Sequence, residues 1–130
     1  MVRLWLLGAL VLSAAPAQAQ LLVSGTWTGT LADGRASTPA SAAIERCATG
    51  FSVALTTAGR TVRTETAAYS QRRLTFDLPG YRSSRRAAPR TLRCSLAMAS
   101  DGMLAGTCTA GRSAARLTLA PPADGGLGCS

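Results

Sequence analysis

Three residue types are missing from this chain of 130 residues: lysine, histidine and asparagine. Without histidine, the side chain that most often transfers protons near neutral pH is missing, and so is the commonest metal ligand. Without asparagine, N-linked glycosylation is excluded. Every basic residue is an arginine, which we interpret as the mark of a GC-rich bacterial genome and not, by itself, as a binding signal.

Acidic residues are few and scattered. The six carboxylates are Asp33, Glu45, Glu65, Asp77, Asp101 and Asp124. Asp33 and Asp101 precede glycine, which is typical of turns. No motif pairs carboxylates for acid–base work, and no closely spaced cysteines form a metal motif. We therefore expect no enzyme, no catalytic residue, no metal and no cofactor.

The longest apolar run lies near the N-terminus, from Leu4 to Ala14, and is too short to cross a bilayer as a helix. Arg3 precedes it and the small residues of Ala17-Gln18-Ala19 follow it, which is the layout of a secretory signal peptide. We expect residues 1–19 to be that signal peptide and residues 20–130 to form one exported domain without a transmembrane segment. The predicted location is the bacterial periplasm or the cell exterior.

Apolar and polar residues alternate with a period of two in short segments, the pattern of half-buried β-strands. The segments are LLVSGTWTGTL, FSVALTT, RTVRTETAAY, RRLTFDL, TLRCSLAMA, MLAGTCT and ARLTLA. The first places Val23, Gly25, Trp27, Gly29 and Leu31 on one face, and Trp27 is expected to be buried. The pattern predicts an all-β domain: a small antiparallel up-and-down barrel or meander of about seven strands, stapled by disulfides.

Two segments do not alternate clearly. Residues 32–50 are rich in alanine, and they fit either a short helix capped by Thr38 before Pro39 or a loop across a barrel mouth. The tail PPADGGLGCS is rich in proline and glycine, so we expect it to be irregular.

The stretch 92–109, LRCSLAMASDGMLAGTCT, places two cysteines at equal distances from Asp101. If residues 100–102 form a three-residue hairpin loop with the glycine in a left-handed conformation, Cys94 faces Cys108. In a non-hydrogen-bonded pair the two Cα atoms would lie about 4.5 Å apart, close enough for a disulfide. Spacing, turn and alternation thus predict a Cys94–Cys108 disulfide.

A two-residue Asp-Gly loop is the competing register, and it would place Cys94 opposite Thr109 with Cys108 diagonal to it. If Cys94 bonds to Cys108, the remaining cysteines, Cys47 and Cys129, form the second disulfide. Four cysteines in an exported chain fit two disulfides, which persist in oxidising compartments.

Gly25-Thr26-Trp27 resembles the G-x-W opening of lipocalins and related calycin barrels. In those barrels the tryptophan closes one end, often beneath an arginine of a late strand, and Arg116 is the matching candidate here. Alternation places Arg116 on the outward face. The wider pattern is similar to small exported bacterial β-barrels. The resemblance implies a barrel with structural roles for Gly25 and Trp27, and no chemistry.

The positive charge is concentrated in the stretch 72–93, RRLTFDLPGYRSSRRAAPRTLR, in which Asp77 is the single acid. Its seven arginines are Arg72, Arg73, Arg82, Arg85, Arg86, Arg90 and Arg93. Pro79-Gly80 is predicted to end a strand, so residues 79–91 should project as a loop. That loop is either solvated charge or an anion-binding surface, since guanidinium groups suit phosphate and carboxylate.

On the functional interpretation, the candidate anion-binding residues are Arg82, Arg85, Arg86 and Arg90. The expected partners are anionic lipid, lipopolysaccharide or acidic polysaccharide. Nucleic acid is not expected, because only Tyr81 lies among these arginines and single-strand stacking uses several aromatic rings. Two alternatives stay open: binding of a small ligand in a barrel cavity, and inhibition of an enzyme by a presented loop.

Overall fold

Eight antiparallel strands form a closed barrel in the computed structural model, which describes residues 22–34, 36–47, 50–84 and 86–123, with Cys47 described by its backbone alone. Each strand pairs with the next in sequence, and the last pairs with the first. The strands are β1 Gly25–Ala32, β2 Ser37–Cys47, β3 Gly50–Thr57, β4 Arg60–Ser70, β5 Arg73–Tyr81, β6 Arg90–Met98, β7 Leu104–Ala110 and β8 Ser113–Ala120. The all-β up-and-down barrel is confirmed, with eight strands instead of about seven. The predicted signal peptide and the irregular end of the tail lie outside the described residues.

The additional strand is β2, and the expectation of a helix or loop in residues 32–50 was wrong there. Ala42 and Ile44 are buried, whereas Ala43 between them is less so, which is the alternation of a strand. Alanine hides this alternation in the sequence, because the same residue type faces both inward and outward. The small Ala42 lies opposite Trp27 on β1 and Leu55 on β3, where it leaves room for their larger side chains.

The interior of the barrel is filled by side chains. Trp27 is 1% exposed and donates its indole N–H to the Val23 carbonyl oxygen over 2.9 Å. Val23 itself was assigned wrongly to the inward face: it is 39% exposed, because β1 begins only at Gly25. The other large, fully buried side chains are Ile44, Val53, Leu55, Leu74, Leu78, Leu96, Leu104, Leu117 and Leu119.

The hairpin between β6 and β7 has the predicted three-residue loop. The Ala99 N–H donates to the Met103 oxygen over 2.8 Å, and the Gly102 N–H donates back to the Ala99 oxygen over 2.9 Å. Gly102 has φ of +88°, the left-handed conformation that this loop requires. In this register Cys94 lies opposite Cys108, and the two form a disulfide with their Cα atoms 4.0 Å apart.

Two inward glycines mark places where neighbouring strands approach too closely for any side chain. A Cβ atom at Gly29 on β1 would lie 1.7 Å from the Thr118 oxygen on β8. A Cβ atom at Gly106 on β7 would lie 1.9 Å from the Ser95 oxygen on β6. These glycines therefore permit tight strand curvature and do not leave a cavity.

We predict that Gly106→Ala lowers the free energy of unfolding by about 3 kcal/mol, the upper end of the usual cost of overpacking. The added methyl group would collide with backbone atoms that are held in the β6–β7 ladder. Thermal or urea unfolding followed by circular dichroism measures the loss. Thr107→Ala, at an exposed position on the same strand, is the control, and an equal loss in both variants would contradict the steric explanation.

We predict that replacing Cys94 and Cys108 together with alanine costs about 3 kcal/mol, because the bridge closes a short loop in the unfolded chain. Peptide mapping without reductant tests the whole connectivity. Cys129 and the side chain of Cys47 lie outside the described residues, so the Cys47–Cys129 disulfide stays a prediction. A disulfide-linked peptide pair that joins Cys94 to Cys47 would contradict both predicted disulfides.

We predict that Trp27→Ala lowers the free energy of unfolding by about 3–5 kcal/mol, enough to unfold a small domain. Trp27→Phe should keep most of the buried ring and lose mainly the hydrogen bond to Val23. Chemical denaturation of both variants gives the two values. A chain that starts at residue 20 holds Trp27 as its single tryptophan, and fluorescence typical of a water-exposed indole would contradict its burial.

Candidate functional site

The strand connections fall at two ends of the barrel, because up-and-down strands alternate in direction. The β1–β2, β3–β4, β5–β6 and β7–β8 connections lie at one end. We call this end the basic pole, because it holds Arg60, Arg82, Arg86, Arg90 and Arg112. The remaining connections and both ends of the described chain lie at the opposite pole. The topology thus collects residues that are far apart in the sequence.

The β5–β6 connection is shorter than predicted. Pro79 and Gly80 do not end the strand; β5 continues to Tyr81, which lies opposite Arg90 on β6. The pairing between β5 and β6 shifts register between Leu78 and Tyr81, so Pro79 and Gly80 occupy an irregularity within the strand. The connection therefore comprises residues 82–89 alone.

Of the predicted anion-binding arginines, Arg82, Arg86 and Arg90 are exposed in or beside this connection. Arg85 lies outside the described residues. Arg60 and Arg112 join them from the β3–β4 and β7–β8 hairpins, and sequence reasoning missed both. Each directly follows a turn glycine of its hairpin, so an up-and-down topology with alternating ends would have indicated them.

The other three arginines of the stretch 72–93 lie elsewhere. Arg72 at the opposite pole donates from Nη2 to the Met98 oxygen over 3.1 Å, and Arg73 donates from Nη1 to Ser95 Oγ over 2.8 Å. Arg93 on the outer wall forms a salt bridge with Asp77, its cross-strand neighbour, with 3.8 Å between Nε and Oδ2. The charge cluster of the sequence is therefore divided by the fold.

The arginines of the basic pole have no acidic ion-pair partner among the residues that the structure describes. Within the described part of the chain, none of Arg60, Arg82, Arg86, Arg90 and Arg112 forms a salt bridge. The single carboxylate among the described residues at this end is that of Asp33. Exposed charges interact over about 8 Å at physiological ionic strength, so these arginines produce a locally positive potential.

A pocket of about 310 Å³ opens at the basic pole. Its lower part is formed by Leu31, Leu92, Cys108 and Ala110, and its rim includes Asp33, Tyr81, Ser83 and Arg90. The remaining lining residues are alanines and one serine: Ala87, Ala88, Ser113, Ala114 and Ala115. The lining residues come from β1 and Asp33 directly after it, from β5, β6, β7 and β8, and from the connection 82–89. The pocket thus occupies one side of the mouth.

Tyr81 lies on the rim of the pocket, and its phenol interacts with Thr57 at the end of β3, two strands away from β5. Burial raises the pKa of Tyr81 above its ordinary value, and the nearby Asp33 adds to this, while the Thr57 hydrogen bond and Arg60 oppose it. The phenol is therefore protonated at neutral pH and can donate a hydrogen bond.

Arg90 reaches across the rim of the pocket. Its guanidinium lies against Gly111 in the β7–β8 turn, where an added Cβ atom would be 2.5 Å from Arg90 Nη1. The glycine therefore provides the space through which the guanidinium crosses from β6 to the next hairpin. A cation is thereby held at the rim of the pocket.

The arrangement implied by the lipocalin resemblance is not formed at Arg116. This arginine is exposed on the outer face of β8, opposite Ala32 and Thr107, whereas Trp27 points into the barrel. Comparison with protein-family models, curated proteins and solved structures finds no match to the chain.

The described residues hold no group of three or more His, Cys, Asp or Glu side chains placed to bind a metal ion. No helix in the described ranges has the length and apolar character to span a membrane. Among the described residues, the features that point to a function are the basic pole and its pocket.

Proposed function

We propose that this protein is an exported, non-enzymatic β-barrel that binds anionic envelope surfaces through the basic pole. The observation that carries the proposal is the gathering of Arg60, Arg82, Arg86, Arg90 and Arg112 at one end without salt bridges among the described residues. Phosphate groups of lipopolysaccharide and of acidic phospholipids are the preferred partners, and acidic polysaccharide is the second class.

The chemistry of arginine supports this choice. The guanidinium group is planar, always charged at neutral pH, and able to make two parallel hydrogen bonds to one phosphate or carboxylate. Near an anionic membrane surface each basic residue contributes about 1 kcal/mol. Several exposed arginines on one end can therefore produce appreciable binding without a deep site for the head group.

The location of the charge supports it as well. The arginines lie on three connections that surround one mouth, so they can face the same surface together. The residues that fill the interior are separate from these arginines. The disulfide closes the β6–β7 hairpin, whose loop lies at the opposite pole. Changing the exposed arginines should therefore affect binding much more than folding.

We predict that mature protein binds phosphatidylglycerol vesicles and lipopolysaccharide, and that binding weakens steeply as salt rises. Replacing Arg82, Arg86 and Arg90 together with serine should weaken vesicle binding about a hundredfold, the equivalent of about 1 kcal/mol for each arginine. Vesicle sedimentation over a range of lipid concentrations measures this, with phosphatidylcholine vesicles as the uncharged surface.

The matched control replaces Arg46, Arg72 and Arg73 with serine, because these exposed arginines lie at the opposite pole and the total charge change is the same. It should bind almost as well as the unmodified protein. Equal losses in both variants would show a response to net charge alone, and undiminished binding by the first variant would remove the proposal. Binding to an acidic polysaccharide without binding to vesicles would assign the surface to the second class.

A further inference from the structure

The pocket at the basic pole combines an apolar interior with a charged rim, and no role has yet been given to its interior. We propose that it binds one small amphipathic anion, with the apolar part between β6, β7 and β8 and a phosphate or carboxylate beside Arg90. This inference rests on the proposed function, because it uses the same pole, and it adds the class of ligand.

Alanines create the space. Further from the basic pole the inward positions of β8 carry Leu117 and Leu119, and these side chains are fully buried. At the basic pole the inward residue of β7 is Ala110, and on β8, which begins at Ser113, the inward position before Leu117 is Ala115. Short side chains at the end of a filled barrel leave a volume that an apolar group can enter.

The volume suits a small ligand. About 310 Å³ lies at the lower limit of the range for pockets that bind small molecules. Leu31, Leu92 and the disulfide-bonded Cys108 form its lower part. An alkyl chain or a ring bound there would displace water from contact with these apolar side chains. The connection 82–89 contributes Ser83, Ala87 and Ala88, which extends the lining beyond the strand ends.

The rim selects for negative charge. Arg90 is the cation among the described residues that line the pocket, and Ser83 offers a hydroxyl donor. Asp33 lies on the same rim and would repel an anion, so the negative group is expected at Arg90 on the β6–β7 side. An uncharged amphiphile would gain the apolar contacts alone, and a head group without a chain would gain the polar contacts alone.

Isothermal titration calorimetry with decyl phosphate, kept below its micellar concentration, tests the inference. We expect one molecule to bind per barrel, at least tenfold more tightly than either methyl phosphate or decyl maltoside. Decanoate in a parallel titration distinguishes a carboxylate from a phosphate ligand. Equal affinity for decyl phosphate and methyl phosphate would overturn the proposal, because the apolar part would then contribute nothing.

Variants separate the pocket from the charged surface. Ala110→Leu fills the pocket without changing charge, and it should weaken decyl phosphate binding at least tenfold while vesicle binding stays the same. Ala115→Leu, at a partly buried inward lining position, serves the same purpose if Ala110→Leu does not fold, and Ala68→Leu on the outer face of β4 is the control. Arg90→Gln should weaken binding of decyl phosphate but not of decyl maltoside.

The two proposals can fail separately. If the variant with Arg82, Arg86 and Arg90 replaced by serine no longer binds vesicles, but Ala110→Leu and Ala115→Leu bind decyl phosphate as the unmodified protein does, the surface function stands and the pocket inference falls. If the pocket variants lose decyl phosphate while the serine variant still binds vesicles, the pocket inference stands and the surface function falls.

Discussion

The structure depends on the close approach of neighbouring strands at two inward glycines. At Gly29 the backbone of β8 occupies the place where a side chain would be, and at Gly106 the backbone of β6 does the same. Strands that approach in this way can coil strongly, and strong coiling allows eight short strands to close with an interior narrow enough to be filled. The burial of Trp27 and the crowding of four connections around one mouth follow from that narrow closure.

Much of the wall could be predicted because its residues differ in size and polarity from one position to the next. Leu74, Phe76 and Leu78 on β5 alternate with exposed residues, and the cysteines of β6 and β7 fix their own register around a recognisable turn. The strand β2 could not be predicted, because alanine occupies both of its faces. The end of β5 was placed too early, because Pro79 and Gly80 usually stop a strand, whereas here an irregularity in pairing accommodates them.

The candidate site was predictable only in part, and the reason is topological. A run of arginines in a sequence says nothing about the end of the barrel at which each residue will lie. Arg72 precedes the nine-residue strand β5, Arg73 begins it and Arg82 follows it, so the strand places Arg82 at the pole opposite the other two. Arg60 and Arg112 are separated from the run by whole strands, and only the order of pairing brings them to it. Predicting the pocket would have required knowing which alanines lie at the ends of strands. Period-two patterning does not distinguish such alanines from alanines in the core.

Because the barrel has an even number of strands, both ends of the described chain lie at the same pole. The described chain enters at Leu22 and leaves after Ala120 at the opposite pole, so both of its ends emerge on the side away from the arginines. A reporter or bead attached at Leu22 or at Ala120 would leave the mouth and its cations open to the surroundings, because both residues lie at the pole away from the arginines. An attachment at that pole would therefore turn the basic pole away from the surface that holds the barrel.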